Sequence, residues 1–268
     1  MRVGSTKHNK PAKMHTFIAS ICIFASIVNI DTNTNFKQGV VLLIDKPYTW
    51  TSFNVVSKVR WLLRRHTGDK HIKVGHAGTL DPLATGLLVV CVGKATKQVP
   101  SLTADSKVYE ATLRLGQTTP SFDLETEVDA TFPIDHIDRA LVEQVLLQFV
   151  GSQQQVPPLF SAKFINGKRA YEYARKGIEK ELPPANIVIS SIDLLSFEPP
   201  HLTLRIACSK GTYIRSLARD IGQALHSGAH LTQLRRTASG NFSITDALTV
   251  EDFEKILRST QPAAKHSV

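Results

Sequence analysis

Six apolar residues in a row, Leu87-Leu88-Val89-Val90-Cys91-Val92, constrain the fold more than any other stretch. A run of this length next to turn-forming residues reads as a buried strand. Directly before it stands His76-Ala77-Gly78-Thr79-Leu80-Asp81-Pro82-Leu83-Ala84-Thr85-Gly86, a single carboxylate among small, turn-forming and apolar residues. Asp81 therefore sits in a Gly/Pro-punctuated loop that enters a buried strand, a rigid frame on which chemistry is often placed. Pro82 biases Asp81 toward extended backbone. A carboxylate walled by apolar residues stays charged and dry only if a cation pairs with it. Two readings stand at this point. Asp81 caps a turn, which the stretch alone favours because Asp before Pro commonly starts one, or it is a framed catalytic acid. A phosphate cradle ranks below both, because neither GxGxxG nor GxxxxGK[ST] is present.

The length of 268 residues allows one large or two small domains with a real core. A net charge of +9 favours an acidic partner, nucleic acid first and anionic membrane second. The alternative is that the basicity only aids solubility. The three cysteines, Cys22, Cys91 and Cys208, form no CxxC pair, and the ten histidines show no HExxH or similar spacing. We expect neither a disulfide framework nor a metal. Cys91 and Cys208 fall in strand-like apolar runs, as reduced core thiols do.

Residues 1–36 read as an N-terminal extension. Arg2, Lys7, Lys10 and Lys13 precede an apolar stretch from Phe17 to Ile30, the outline of a basic n-region and a short h-region. The stretch is short for a membrane-crossing helix, and no A-x-A-like site follows. The expectation is a loosely attached tail and no membrane partner. Val40–Ile44 predicts a strand ended by Asp45-Lys46-Pro47. Thr51-Ser52 predicts the cap of a helix over 53–66, with Val55, Val59, Leu62 and Leu63 as its apolar stripe and Gly68 closing it. Its Lys58, Arg60, Arg64 and Arg65 read as a solvated face or as phosphate contacts.

Lys107 to Gly116 alternates: Tyr109, Ala111, Leu113 and Leu115 share one face, Glu110, Thr112 and Arg114 the other. By parity alone Tyr109 is a core residue. The acidic loop 121–129, with Asp123, Glu125, Glu127 and Asp129, is expected to stay clear of any polyanion. A helix over 137–149 follows. Residues 152–182 are polar, Pro-broken and basic, with Phe160, Phe164, Tyr171 and Tyr173 interleaved. This mixture offers cations for phosphates and rings for unstacked bases; the alternative is a partly buried surface helix. Ile187–Phe197 and Leu202–Cys208 read as strands. A helix with Ile214, Leu217, Ile221 and Leu225 inward comes next. Arg215 lies beside that stripe at the helix start, where the helix dipole disfavours a cation. A carboxylate would relieve it, and Asp81 is the natural partner; the alternative is a surface arginine in water. Thr249-Val250-Glu251-Asp252 predicts a final helix cap before Phe253.

In order, these stretches resemble the TruB family of pseudouridine synthases. Leu43-Ile44-Asp45-Lys46-Pro47 is similar to the family's opening motif and the Asp81 loop to its catalytic motif. Gly93-Lys94-Ala95-Thr96-Lys97, Tyr109 with Arg114-Leu115-Gly116, and Tyr171-Glu172-Tyr173-Ala174-Arg175 follow. Cys208-Ser209-Lys210-Gly211-Thr212-Tyr213-Ile214-Arg215-Ser216, Gly228-Ala229-His230 and Leu234-Arg235-Arg236 complete the set. The resemblance implies an α+β fold: a long, mixed, mostly antiparallel sheet flanked by helices, with a central RNA-binding cleft. It implies a catalytic domain over 37–248, with 152–182 as a thumb-like RNA-binding insertion. Residues 249–268 would be a short C-terminal helix and tail in place of the family's small C-terminal RNA-binding domain.

The activity implied is isomerisation of the T-loop uridine at position 55 of tRNA to pseudouridine. The base is flipped out, and an Asp-dependent step cleaves and re-forms its glycosidic bond. Asp81 would be the catalytic acid, either attacking the sugar or removing a sugar proton. His76 would fill the position the base vacates, and Tyr109 would stack on the uracil. Arg215 would orient Asp81 and keep it ionised, Tyr213 and Leu234 would wall the pocket, and Lys46 would support the catalytic loop. No cofactor is required. A lone carboxylate argues against a two-carboxylate glycoside hydrolase. The implied partner is the tRNA T stem-loop, and the enzyme is expected to be a cytoplasmic monomer. Rival readings are a tRNA-folding chaperone that does not need Asp81, and the same chemistry on another RNA such as rRNA.

Overall fold

The structure is a computed structural model and describes residues 30, 31 and 33–260. The expected leader-like stretch, Cys22 and the tail after Thr260 lie outside the described residues. In chain order come β1 (Val40–Lys46), α1 (Ser52–Thr67), β2 (Val74–His76) and β3 (Ala84–Val92). A 3-10 turn (Gly93–Gln98) leads to α2 (Val99–Ala104), β4 (Lys107–Leu115), β5 (Gln117–Thr118), β6 (Ala130–Thr131), α3 (Arg139–Leu147) and β7 (Gly151–Gln155). The middle of the chain holds β8 (Phe164–Ile165), β9 (Lys168–Arg169) and α4 (Ala170–Ala174). Then follow β10 (Ala185–Glu198), β11 (His201–Cys208), α5 (Ile214–Ala224), β12 (Ala229–Ser239), β13 (Phe242–Ser243) and α6 (Val250–Ser259).

A 9-stranded sheet organises these elements in the order β1-β3-β12-β4-β11-β10-β7, with β2 joined to β3 and β13 to β12. Every pairing in it is antiparallel except β3 with β12, where Ala84–Gly86 run parallel to Leu234–Arg236. The fold is α+β, as the resemblance implies. Helices explain why β3 has no polar face. On one side α1 and α6 pack Val55, Val59, Leu63, Phe253 and Leu257 onto Leu88, Val90 and Val92. On the other side Ala95, Val99 and Leu102 cover Leu87, Val89 and Cys91. A strand covered on both faces reads as a continuous apolar run. By contrast α3 and α5 cover one face only of β4, β11 and β10, so β4 alternates.

Local chemistry sets the helix ends. Thr51 caps α1 in a capping box with Asn54, and Gly68 closes it in a left-handed conformation at φ 71, a cap worth about 1 kcal/mol. Lys58 pairs with Glu254 of α6 at 2.7 Å, and Arg60 donates to the Val74 carbonyl at 2.9 Å. These two cations staple α1 to its neighbours rather than facing a polyanion. Phe36 is buried in the same core, so the packed unit begins before residue 37. Residues 152–155 are part of β7 and pair with β10, so the insertion leaves the sheet only after Gln155. α6 buries Val250, Phe253 and Leu257 against α1 and belongs to that core.

Candidate active site

The Asp81 loop spans from β2 to β3 and is tied down from three sides. The Ser52 hydroxyl, at the start of α1, accepts from Leu80 N–H at 2.8 Å and donates to Leu80 C=O at 3.1 Å. The Ala77 amide donates to the Val89 carbonyl at 2.9 Å. Lys46, at the end of β1, is fully buried and donates to the carbonyls of Pro82 (3.3 Å), Pro47 (3.0 Å) and Trp50 (2.6 Å). One ammonium thus joins the Asp81 loop to the turn before α1. Burial pulls the Lys46 pKa down to about 8, against the opposing pull of Asp81 and with the help of Arg236.

Arg215, at the start of α5, is the hub. Its side chain is 4% exposed, and its Nε lies 2.9 Å from Asp81 Oδ2. The remaining nitrogens donate to Ser121 C=O at 3.2 Å and Phe160 C=O at 2.9 Å. Arg215 therefore touches the Asp81 loop, the acidic loop and the base of the insertion at once, through an ion pair to Asp81 and two hydrogen bonds to carbonyls. The pairing with Asp81 expected from the helix dipole is present. The expected dryness is not: the Asp81 side chain is 41% exposed and faces an open cleft.

A cavity of about 390 Å³ opens beside Asp81, walled by Tyr109, Tyr213, Leu234, Arg236 and Ser161. Tyr109 is at once a core residue, as its parity predicts, and a wall of this cavity. Burial raises its phenol pKa, and Arg236 opposes that. Tyr213 is held by a reciprocal clamp: its N–H donates to Gln155 Oε1 at 2.8 Å, and Gln155 Nε2 donates to its carbonyl at 3.1 Å. Its phenol pKa is also raised by burial, the neighbouring Ser161 hydroxyl working against it. Leu234 reaches the cavity from the parallel pairing of β12 with β3. Five of the seven expected residues (Asp81, Tyr109, Tyr213, Arg215 and Leu234) therefore line one cavity. Lys46 supports it from beneath. His76 lies on β2, half-buried and off the cavity wall, with its Nδ1 buried and unpartnered. Burial, then Arg236, lowers its pKa.

Asp123 adds what the sequence reading did not place: the acidic loop brings a second carboxylate to Arg215. Asp123 Oδ2 lies 3.5 Å from the same Arg215 Nε, on a side chain only 8% exposed. Its other oxygen accepts Glu125 N–H at 2.9 Å. A buried carboxylate held this way supports the arginine and is not free to act as a second acid. Arg236 was also without a role. It is 1% exposed and donates to Leu87 C=O (2.7 Å) and Gly78 C=O (3.1 Å), pinning both ends of the Asp81 loop. Nothing local marks Asp123 or Gln155 in sequence, since their partners stand 92 and 58 positions away. The doublet Arg235-Arg236 was the one available signal. Among the described residues no three His, Cys, Asp or Glu side chains gather as a metal site. No helix among them is long and apolar enough to cross a membrane.

Residues 64–214 match the TruB family pseudouridylate synthase N-terminal domain. Residues 215–266 match the tRNA pseudouridylate synthase B C-terminal domain. The chain belongs to the TruB family. It is accordingly an isomerase that turns uridine in tRNA into pseudouridine. Among similar proteins, tRNA pseudouridine synthase B of Phocaeicola vulgatus is 56% identical over 83% of this chain and 95% of that one. The protein of the same name from Flavobacterium johnsoniae is 47% identical over 85% of this chain and all of that one. Among solved structures, a chain of a Cbf5-Nop10-Gar1 complex aligns with TM-score 0.63 at 30% identity, over 84% of this chain and 56% of that one. A chain of an H/ACA RNP bound to a substrate RNA containing 2'-deoxyuridine aligns with TM-score 0.59 at 28% identity. The TruB chain spans 53% of that longer protein.

Proposed function

We propose that this TruB protein isomerises the T-loop uridine at position 55 of tRNA, with Asp81 as its catalytic residue. One observation carries the reading: a partly open carboxylate, gripped by a buried arginine, at the mouth of a cavity walled by two tyrosines and a leucine. A uridine inside a folded loop must be extruded to be reached. The cavity volume suits a flipped nucleoside, and its walls are largely apolar. As the N-glycosidic bond breaks, positive charge develops at C1′. Asp81 meets that charge, either by attacking C1′ or by taking a sugar proton. Arg215 fixes the carboxylate's direction. Tyr109 stacks on the freed uracil, and Tyr213 and Leu234 keep it from leaving while it turns. His76 fills the gap left in the RNA loop, and Lys46 keeps the Asp81 loop in register with α1.

The partner is the T stem-loop, engaged by a monomeric enzyme in the cytoplasm. The curated name shared by relatives of up to 56% identity supports tRNA over rRNA. Asp81→Asn is the test. Asparagine keeps the shape and loses the charge, so tRNA binding stays within about threefold while tritium release from C5-labelled tRNA disappears. Turnover above a few per cent of wild type rejects Asp81 as the catalyst. Isomerisation at another uridine rejects position 55.

A further inference from the structure

One buried polar group of the Asp81 cavity has no part in the mechanism above. Ser161, at the root of the insertion, lines the cavity and is 6% exposed. Its Oγ is buried and has no hydrogen-bond partner among the described residues. Its backbone is the opposite case. Ser161 N–H donates to the Leu159 carbonyl at 2.8 Å, and the Ser161 carbonyl accepts from Tyr171 N–H at 3.0 Å. Neighbouring carbonyls are held as well, Phe160 by Arg215 at 2.9 Å and Lys163 by Ala170 N–H at 2.7 Å. The main chain thus fixes where the side chain starts, and nothing occupies its tip.

A buried hydroxyl without a partner destabilises a fold. Alanine would fill the same space without that penalty, so packing does not account for the oxygen. Local rules are broken where function requires it, and this oxygen belongs to the wall beside Asp81.

The buried cations of the cavity are already engaged. Arg236 donates to the Leu87 and Gly78 carbonyls, and Lys107 to those of Leu102, Thr103 and Asp105. Arg215 is divided between Asp81 and two carbonyls. Ser161 stands beside the Tyr213 phenol, which burial keeps protonated. Neutral O–H groups therefore face the space for the base. They suit uracil, whose edge carries carbonyl oxygens and no charge until the glycosidic bond breaks.

We propose that Ser161 is a further catalytic residue, whose hydroxyl donates a hydrogen bond to a uracil carbonyl oxygen as the base leaves the sugar. When the N1–C1′ bond breaks, its electron pair stays with N1 and spreads onto O2 and O4. A donor aimed at one of these oxygens stabilises the charge where it develops. The Ser161 proton is not transferred. Turning the ring about its N3–C6 axis exchanges N1 with C5 and O2 with O4, so the same donor meets a carbonyl before and after the turn. The electron pair then returns in the C5–C1′ bond, C5 gives up its proton and N1 gains one. The inference rests on the flipped uridine and the role of Asp81 proposed above.

The test uses the full chain and a C5-tritiated T stem-loop with uridine, 2-thiouridine or 4-thiouridine at the target, sulfur being a poor acceptor. On uridine, Ser161→Ala should lower the single-turnover rate roughly 10–100-fold, with the Kd within about threefold. Ser161→Cys keeps the size and a weak donor and should fall between. The intrinsic effect of sulfur is common to all enzymes, so the comparison between them isolates the contact. At one carbonyl or both, sulfur should slow wild type at least about fivefold more than Ser161→Ala. The same comparison with Ser161→Cys decides the matter if the alanine variant does not fold. Ser161→Ala within about threefold of wild type overturns the proposal, as does a Kd that rises as far as the rate falls. Sulfur effects equal in wild type and variant at both carbonyls overturn it too. Absence of pseudouridine from wild type on the uridine RNA overturns the T-loop assignment itself.

Discussion

Arg215→Lys isolates what the guanidinium fork does, because it keeps the charge and removes the geometry. In the native site Nε forms an ion pair with Asp81 at 2.9 Å, and the two outer nitrogens hold the Ser121 and Phe160 carbonyls at 3.2 and 2.9 Å. A lysine nitrogen cannot span all three. If it stays with the carbonyls, Asp81 swings free. If it follows Asp81, the acidic loop and the base of the insertion come loose. Hydrogen bonds to a charged group contribute roughly 1.5–3 kcal/mol each, so losing two removes about 3–6 kcal/mol of local order. A displacement of about 1 Å at a reacting group lowers the rate roughly a hundredfold. We therefore expect kcat to fall by about 10²–10³, equivalent to roughly 3–4 kcal/mol of transition-state stabilisation. Arg215 is 4% exposed, and its nitrogens are taken up by Asp81 and two carbonyls. The Kd for tRNA should stay within about threefold. Single-turnover tritium release from C5-labelled tRNA reads the first quantity and filter binding the second. A variant within fivefold of wild-type kcat, or one whose Kd rises as far as its kcat falls, would refute the assignment of Arg215 as the residue that aims Asp81.

Other outcomes follow from the same contacts. Lys46, with its pKa pulled down to about 8, gives up its proton in the fold before it does in the unfolded chain. Between that pH and the ordinary lysine value the unfolded state binds more protons, so stability rises with pH. Denaturation of wild type against Lys46→Met should show wild type gaining up to about 3 kcal/mol over this window and nothing below it; a flat difference refutes the shift. Gly86 has φ +101, and a Cβ there would collide with the Arg236 carbonyl where β3 meets β12. Gly86→Ala should cost about 2–5 kcal/mol, read as a Tm drop of roughly 5–15 °C, and an unchanged Tm would show that this parallel pairing is soft. Asp81→Asn, by contrast, should leave the Tm within a few degrees while abolishing product. A collapse in stability would make the carboxylate structural.

Much of the site was legible because its signals are local. The apolar run Leu87–Val92 announces a strand covered on both faces. Pro82 and the glycines around Asp81 announce a framed loop, and Thr51 with Gly68 marks both ends of α1. Even the Arg215–Asp81 pair was accessible, since a cation at a helix start needs a carboxylate and one candidate stood out. Apart from that pair, these are properties of residues within a few positions of one another, governed by backbone preference and periodicity.

What the sequence left open is what depends on distance along the chain. Asp123 joins Arg215 only because the acidic loop folds back over α5, and the same turn of the chain made it look like a solvated acid. Gln155 clamps Tyr213 because β7 comes to lie near the start of α5. Arg236 and Arg235 differ by one position, yet one pins the Asp81 loop and the other lines the opposite face, because strand pairing assigns alternate side chains to different sides of the sheet. Residue types and local pattern determined the elements and the framed loop that carries Asp81, and the resemblance of the ordered motifs singled out the acid. The tertiary structure alone decided which charges share a partner, since a partner is set by which strands and loops pack together and not by their order in the chain.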